Sequence, residues 1–128
     1  YDIFKQYGSL KKKYKTTEIS KLTVNSNVKV MFIIDKIKVI KTKKGDEMAF
    51  LVVSDDTGSI DATMFPKTYL ECKENLGNNK LCICEGKVEK RDEKIQIVIN
   101  RMFINNRNWL KYFVNSGIIF LLIIETYI

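Results

Sequence analysis

Residues 27–41 alternate apolar and polar side chains, and the alternation changes phase half-way along the segment. In the first half the apolar side chains occupy even positions, at Val28, Val30, Phe32 and Ile34. In the second half they occupy odd positions, at Ile37 and Val39. One inserted residue moves every later side chain of a strand to the other face, so we expect a bulge or sharp coil near Asp35 and Lys36. A long bent first strand is typical of a small barrel, where one strand serves two sides of a closing sheet.

The residues that follow predict four more strands and one helix. The predicted elements are a strand at 48–54, a strand at 60–65, a helix from Pro66 to about Leu76, a strand from Leu81 through Val88, and a strand at 95–100. Pro66 suits the first helical position, and Gly77 with the two asparagines after it should end the helix. Five strands with a helix between the third and fourth describe an all-β, five-stranded Greek-key barrel, the OB-fold. Barrels of the SH3 type are the rival, but the intervening helix favours the OB-fold.

Shorter segments flank the predicted barrel. We divide the chain into a basic lead-in (1–26), the OB-fold domain (27–103) and a C-terminal extension (104–128), and we expect both flanking segments to be short helical or irregular pieces. In the lead-in, apolar side chains recur every three or four residues, which suggests a solvated linker helix. The extension contains seven consecutive apolar residues at 118–124. This run is well short of the ~20 residues that cross a bilayer, so we predict no membrane partner.

Charge and composition exclude several function classes. The chain carries 22 Lys and Arg against 15 Asp and Glu, a formal net charge of +7, which favours a polyanionic partner. Residues 27–103 hold 14 basic and 12 acidic side chains, so any nucleic-acid site must come from local clusters. The absence of histidine from the sequence excludes imidazole bases and imidazole zinc ligands. Three cysteines form an odd set, which indicates free thiols in a reducing, cytoplasmic compartment.

An OB-fold binds single strands on strands 2 and 3, between the loop joining strands 1 and 2 and the loop joining strands 4 and 5. Such a site needs cations for phosphates and aromatic rings for bases. The candidates at these places are Lys36, Lys38, Lys41, Lys43, Lys44, Phe50, Thr63, Phe65, Lys87, Lys90 and Arg91. Solvated surface lysines and core aromatics are the ordinary alternatives for these residue types. Asp61 should share the wet face of strand 3 with Thr63, where it would repel phosphate.

No catalytic or cofactor site is predicted. Asp46-Glu47 and Asp55-Asp56 bring together too few oxygen ligands for a metal, and turn aspartates ordinarily bind backbone N–H groups. Cys82 and Cys84 share one face of a strand, but two thiolates without a second pair do not make a structural zinc site. We therefore expect no nucleophile–base pair, no metal and no cofactor in this chain.

Several stretches, taken together over about sixty residues, resemble a known domain. They are Lys41-Thr42-Lys43-Lys44-Gly45-Asp46-Glu47-Met48-Ala49-Phe50, then Asp56-Thr57-Gly58-Ser59-Ile60, Phe65-Pro66 with Tyr69, Gly86-Lys87-Val88, and Arg91-Asp92 with Lys94 and Gln96 beyond them. Residues 27–102 are similar to the OB domain near the C-terminus of the bacterial DNA polymerase III alpha subunit, of the DnaE type found in low-GC Gram-positive bacteria. Two features depart from that family: Gly8-Ser9-Leu10 lacks the His and Pro of a Ser-x-His-Pro-Leu motif, and the apolar tail does not align.

The resemblance implies a module that binds single-stranded DNA and helps hold the template in a replicative polymerase, a DNA-directed DNA polymerase (nucleotidyltransferase). The catalytic aspartates of such an enzyme would lie elsewhere. Other domains or subunits of the polymerase are then the expected protein partners. Two alternatives stay open: an RNA-binding OB module similar to the anticodon-binding domain of class II aminoacyl-tRNA synthetases, and a docking module without nucleic-acid binding.

Overall fold

The structure, a computed structural model, describes residues 15–104, with the backbone alone for Ile104. Five strands and one α-helix follow one another in the predicted order. They are β1 (Asn27–Lys41), β2 (Glu47–Ser54), β3 (Ser59–Met64), α1 (Pro66–Cys72), β4 (Leu81–Arg91) and β5 (Lys94–Ile104). The strands close into a barrel in the order β1-β2-β3-β5-β4. This confirms the predicted all-β fold class, a five-stranded barrel with one helix between the third and fourth strands.

Strand β1 forms two sides of the barrel, as its change of phase predicted. Its first half, from Asn27 to Ile33, pairs with β4, and its second half pairs with β2. The register shifts between Ile34 and Lys36, where the bulge was expected. Before the shift, Phe32 and Ile34 point into the core and are fully buried. After it, Ile37 packs against the core, while Lys36 and Lys38 lie on the outer face.

The core lies inside the barrel and is filled by alternate side chains of all five strands. Its largest fully buried members include Phe32, Leu51, Met64 and Ile97. Cys82 and Cys84 are also buried free thiols there. Burial raises the pKa of Cys84 to about 12, so its thiol stays protonated at neutral pH.

Helix α1 is shorter than predicted, because its C-terminal turn tightens. The helix ends at Cys72 instead of near Leu76. The N–H of Asn75 donates to the carbonyl oxygen of Cys72 at 3.0 Å, a bond of the 3-10 type that stops the α-helical pattern. Leu76 still packs against the core from the loop that follows.

Residues 15–26 are irregular apart from a 3-10 turn at Ile19–Lys21. Residues 1–14 and 105–128, which hold most of the predicted lead-in helix and the whole apolar tail, lie outside the described part. Backbone N–H groups of the lead-in bond to the barrel instead of within a helix: Thr17 donates to the Lys29 carbonyl at 2.7 Å, and Asn25 to the Val88 carbonyl at 2.7 Å. Ile19 is buried in the core cluster. The lead-in is thus part of the barrel surface over these residues.

Asp55 fastens this segment to the turn between β2 and β3. Its carboxylate is buried and accepts hydrogen bonds from the backbone N–H of Ile19 at 3.0 Å, Thr57 at 2.7 Å and Gly58 at 3.1 Å. The Thr57 hydroxyl donates to it as well, at 2.6 Å. One aspartate therefore satisfies four donors, which is the role that turn aspartates were expected to have.

Candidate nucleic-acid interface

A groove of about 600 Å³ runs over the outer face of the sheet, between β1 and the hairpin that joins β4 to β5. Four cations line it: Lys36, Lys38, Arg91 and Lys94. Two carboxylates, those of Asp61 and Asp92, also line it, so the lining carries a formal charge of +2. Polar and apolar side chains share its floor. The groove therefore combines the cations and the exposed apolar surface that a single-stranded polyanion requires.

Strand register arranges the floor of the groove in two rows across four strands. The first row runs Lys38, Phe50, Thr63 and Val98 across β1, β2, β3 and β5. The second row runs Lys36, Val52, Asp61 and Gln96 across the same strands. Side chains two residues apart on a strand share a face, so all eight belong to the outer surface. Cations therefore stand at the β1 side, apolar groups on β2, and hydrogen-bonding groups at Asp61 and Thr63 on β3 and at Gln96 on β5. Val98 ends the first row outside the lining of the groove.

The Phe50 ring is the aromatic surface of the groove, and Arg91 lies over it. The guanidinium carbon of Arg91 is 5.4 Å from the centre of the ring, within the range of a cation–π contact. Phe50 is half-buried, so part of the ring is accessible to a ligand. A guanidinium beside an aromatic ring can offer donors to a phosphate while the ring stacks on a base.

The unbroken alternation of β4 sets which way Arg91 points. Cys82, Cys84 and Val88 all face the core, so the odd-numbered residues of β4, including Arg91, face outward. The register between β4 and β5 shifts between Glu85 and Gly86, and the extra residue belongs to β5, because Glu85 pairs with Arg101 and Gly86 with Ile99. A Cβ added at Gly86 would lie 2.4 Å from the carbonyl oxygen of Val98, which no side chain can occupy. A residue without a side chain thus permits the close approach of β5 to β4 at this shift.

Thr63 and Gln96 form a polar pair under the floor of the groove. The Thr63 hydroxyl donates to Oε1 of Gln96 at 2.8 Å. Thr63 lies on the outward face that its sequence position predicts, but it is only 2% exposed because neighbouring side chains cover it. It can therefore position Gln96, and it is a poor candidate for direct contact with a ligand.

Five of the residues predicted for the site come together at the groove: Lys36, Lys38, Phe50, Thr63 and Arg91. The other six lie outside its lining. Lys41, Lys43 and Lys44 are exposed at the β1–β2 hairpin, and Lys87 and Lys90 are exposed on β4. Phe65 precedes the first residue of α1, is 51% exposed and is not among the residues that line the groove.

Among the polar residues that line the groove, Asp92, Lys94 and Gln96 were not among the predicted site residues, and Asp61 was expected only to repel phosphate. The alternation in β5 already places Lys94 and Gln96 opposite the inward-facing isoleucines. The missing information was that β5 lies beside β3, since that parallel pairing joins Asp61 to Gln96 across 35 residues of sequence.

Within residues 15–104, no group of three or more His, Cys, Asp or Glu side chains is placed to hold a metal ion.

A second, smaller hollow of about 400 Å³ continues the groove past β3. It shares Asp61, Lys94 and Ile95 with the first, and it ends at Ile19 of the lead-in. The two hollows together form a path across the sheet with Asp61 at their junction.

A helix long and apolar enough to span a membrane does not occur in the described ranges.

Comparison with known proteins agrees with the fold. The profile of the family described as OB-fold nucleic acid binding domain matches residues 21–105. The DNA polymerase III alpha subunit of Streptococcus pyogenes is 36% identical over 97 residues, which are 73% of this chain and 9% of that protein. The alpha subunit of Bacillus subtilis is 41% identical over 69 residues, 54% of this chain and 6% of that protein. The chain thus spans less than a tenth of the length of these relatives.

A solved structure supports the fold independently. The crystal structure of a domain of replication protein A from Methanococcus maripaludis superposes with a TM-score of 0.61 at 17% identity, covering 73% of this chain and 98% of that one. At this identity the likeness concerns the fold. The family match and the sequence relatives carry the assignment further and confirm the resemblance read from the sequence. The chain belongs to the OB-fold nucleic acid binding domain family, and its OB-fold domain is homologous to that of the DNA polymerase III alpha subunit of low-GC Gram-positive bacteria.

Proposed function

We propose that this domain binds single-stranded DNA along the groove and so helps hold the template strand within a DNA polymerase III alpha subunit. The observation that carries the proposal is the Phe50 ring with Arg91 over it, beside Lys36 and Lys38 at the β1 side of the same groove. The homology supports a place within a cytoplasmic replicative polymerase. The chemistry of polymerisation is assigned to other parts of such a protein.

Stacking and charge make separable contributions to this binding. A base stacked on an aromatic side chain contributes about 1–3 kcal/mol, independent of sequence. Contacts to phosphates release counterions, and each contact to a single strand adds about −0.7 to the slope of log affinity against log salt concentration. Three contacts, from Lys36, Lys38 and Arg91, therefore give a slope of about −2. Such a site is weak alone and is strengthened when neighbouring domains hold the same strand.

The test is fluorescence anisotropy of a labelled single-stranded DNA 12-mer of mixed sequence, titrated with the full chain at several salt concentrations. Phe50→Ala should weaken binding about tenfold and leave the salt slope unchanged, because it removes no charge. Lys36→Ala with Lys38→Ala should reduce the slope by about 1.4.

A charge-matched control is available on α1 and in the turn after it. Lys67 and Lys73 are exposed and do not line the groove, so Lys67→Ala with Lys73→Ala removes the same charge elsewhere. This pair should change affinity and slope much less than the groove pair. Equal effects of the two pairs, or no binding at low salt, would reject the groove as a DNA site. An RNA 12-mer of the same sequence, if bound much more tightly, would favour the RNA-binding alternative.

One observation favours docking as a second candidate function. Phe65, the N-cap of α1, is 51% exposed and Leu70 within α1 is 69% exposed, and neither lines the groove. Exposed large apolar side chains are candidates for protein contacts. If the DNA titration fails at low salt, Leu70→Ser should weaken association of this chain with the remainder of a polymerase alpha subunit in a pull-down, whereas Lys67→Ala should not.

A further inference from the structure

The chemical character of the side chains in the groove changes from one strand to the next. In one row, Lys36 on β1 is followed by Val52 on β2, Asp61 on β3 and Gln96 on β5. Neighbouring strands lie about 4.8 Å apart, so Asp61 is roughly 10 Å from the β1 cations. A nucleotide whose phosphate meets the β1 side and whose base lies over β2 therefore presents the edge of its base to Asp61 and Gln96.

Gln96 is oriented by a part-buried hydrogen bond. The hydroxyl of Thr63, only 2% exposed, donates to Oε1 of Gln96 at 2.8 Å. Oε1 thereby accepts one hydrogen bond, and the amide nitrogen is the group of this side chain that can donate to a ligand in the groove. Gln96 thus offers a positioned donor beside its register partner Asp61.

Asp61 is an exposed carboxylate at the junction of the two hollows. Lys94 lines both hollows too, but within residues 15–104 no ion pair joins Asp61 to it or to another cation. An ionised carboxylate accepts hydrogen bonds and repels phosphate. The part of a nucleotide that Asp61 can meet favourably is a hydrogen-bond donor on the base.

We propose that Asp61 and Gln96 give this groove a preference for cytosine and adenine over thymine. Cytosine and adenine each place an amino donor next to a ring nitrogen acceptor, which matches the carboxylate of Asp61 beside the amide donor of Gln96. Thymine has a single N–H between two carbonyl oxygens at that edge, so a carboxylate there faces at least one oxygen. This inference rests on the proposed function, because it requires the strand to lie in the groove.

The experiment compares labelled dC and dT 10-mers by anisotropy at pH 7.5, since both are pyrimidines with similar stacking. The full chain should bind dC about fivefold more tightly than dT, the lower end of what a specific side chain–base pair contributes. Asp61→Asn should bring the ratio close to one, because an amide can both donate and accept. Gln96→Leu should also reduce it.

Asp92→Asn is the matched control, because Asp92 lines the same groove at the hairpin and loses the same charge. It should strengthen binding of both oligomers alike and keep the fivefold ratio. Equal binding of dC and dT, tighter binding of dT, or a ratio that survives Asp61→Asn would overturn the base preference while leaving the proposed function standing. Failure to bind either oligomer would overturn both.

Discussion

Gly86 offers the sharpest test of how this barrel presents its groove. A methyl group in place of the missing side chain would lie 2.4 Å from the carbonyl oxygen of Val98 and 2.9 Å from Cγ2 of Ile97. The first contact is with the backbone of the paired strand, which can move only if the β4–β5 hydrogen bonds change. Overpacking of this kind costs about 1–3 kcal/mol, and we expect Gly86→Ala to cost about 3 kcal/mol because the obstructing atom is backbone.

The assay is urea unfolding followed by circular dichroism, with Gly58→Ala as the matched control. A methyl group at Gly58 would meet Cγ2 of Ile19 at 3.6 Å, an ordinary contact, and Gly58 does not have a positive φ. Gly58→Ala should therefore be neutral or stabilise the protein by up to about 1 kcal/mol, since it restricts the unfolded chain. Typical surface substitutions change the free energy of unfolding by less than about 0.5 kcal/mol. If the free energies of unfolding of Gly86→Ala and Gly58→Ala differ by no more than this amount, about 0.5 kcal/mol, the packing argument is refuted.

The same substitution also tests whether the packing of β5 on β4 supports the groove. A methyl group at Gly86 would displace β5, which carries Lys94 and Gln96 of the groove lining. DNA binding by Gly86→Ala should therefore weaken when it is measured without urea, at a temperature where the variant is folded. Normal DNA binding in a folded Gly86→Ala variant would show that the groove does not depend on this contact.

Three further predictions concern the turns and the core. Asp55→Ala should lower the free energy of unfolding by about 2–4 kcal/mol, because it leaves the N–H of Ile19 and other donors without their charged acceptor; a loss below 0.5 kcal/mol in urea unfolding would contradict this. Gly45→Ala should cost about 1–2 kcal/mol, because Gly45 has a φ of +90° although nothing lies within 4 Å of an added Cβ, and an unchanged urea midpoint would contradict that strain. Burial raises the pKa of the Cys84 thiol from 9.0 to about 12, so the stability contributed by the protonated thiol should be complete below pH 9 and lost as the pH rises toward 12. The free energy of unfolding of Cys84→Ala should therefore decline less steeply over that pH range. Identical pH profiles for the two proteins would contradict the raised pKa.

The local alternation of apolar side chains was sufficient to predict the strands. It could not show which distant segments pair with one another. The change of phase at Asp35 and Lys36 was readable because a bulge exchanges faces within one strand. The position of Gln96 beside Asp61 could not be predicted from the sequence, since it depends on which strands become neighbours when the barrel closes. Likewise, nothing local to Arg91 shows that the hairpin leans over Phe50.

The lead-in shows what a local pattern cannot determine. The helical spacing was read from apolar side chains at 3–14, which lie outside the described residues. Over residues 15–26, the buried Ile19 and the acceptors on Asp55, Lys29 and Val88 provide barrel contacts, and the backbone forms a 3-10 turn at Ile19–Lys21. Periodicity identifies apolar side chains that need burial, and it does not show whether their own helix or a neighbouring sheet provides it.

The two-sided pairing of β1 has a consequence for how the chain acquires its structure during synthesis. The second half of β1 can form its hairpin with β2 at once, but the first half pairs with β4, and Asn27 meets Lys87 sixty residues later. At translation rates of about 5–20 residues per second, the ribosome needs about 3–12 s to add that stretch. During this interval the first half of β1 lacks the partner it has in the native barrel. Nascent chains of this domain should therefore expose an apolar strand edge for seconds, and chaperones can bind this edge during that time. Pairing with β4 then ends the exposure.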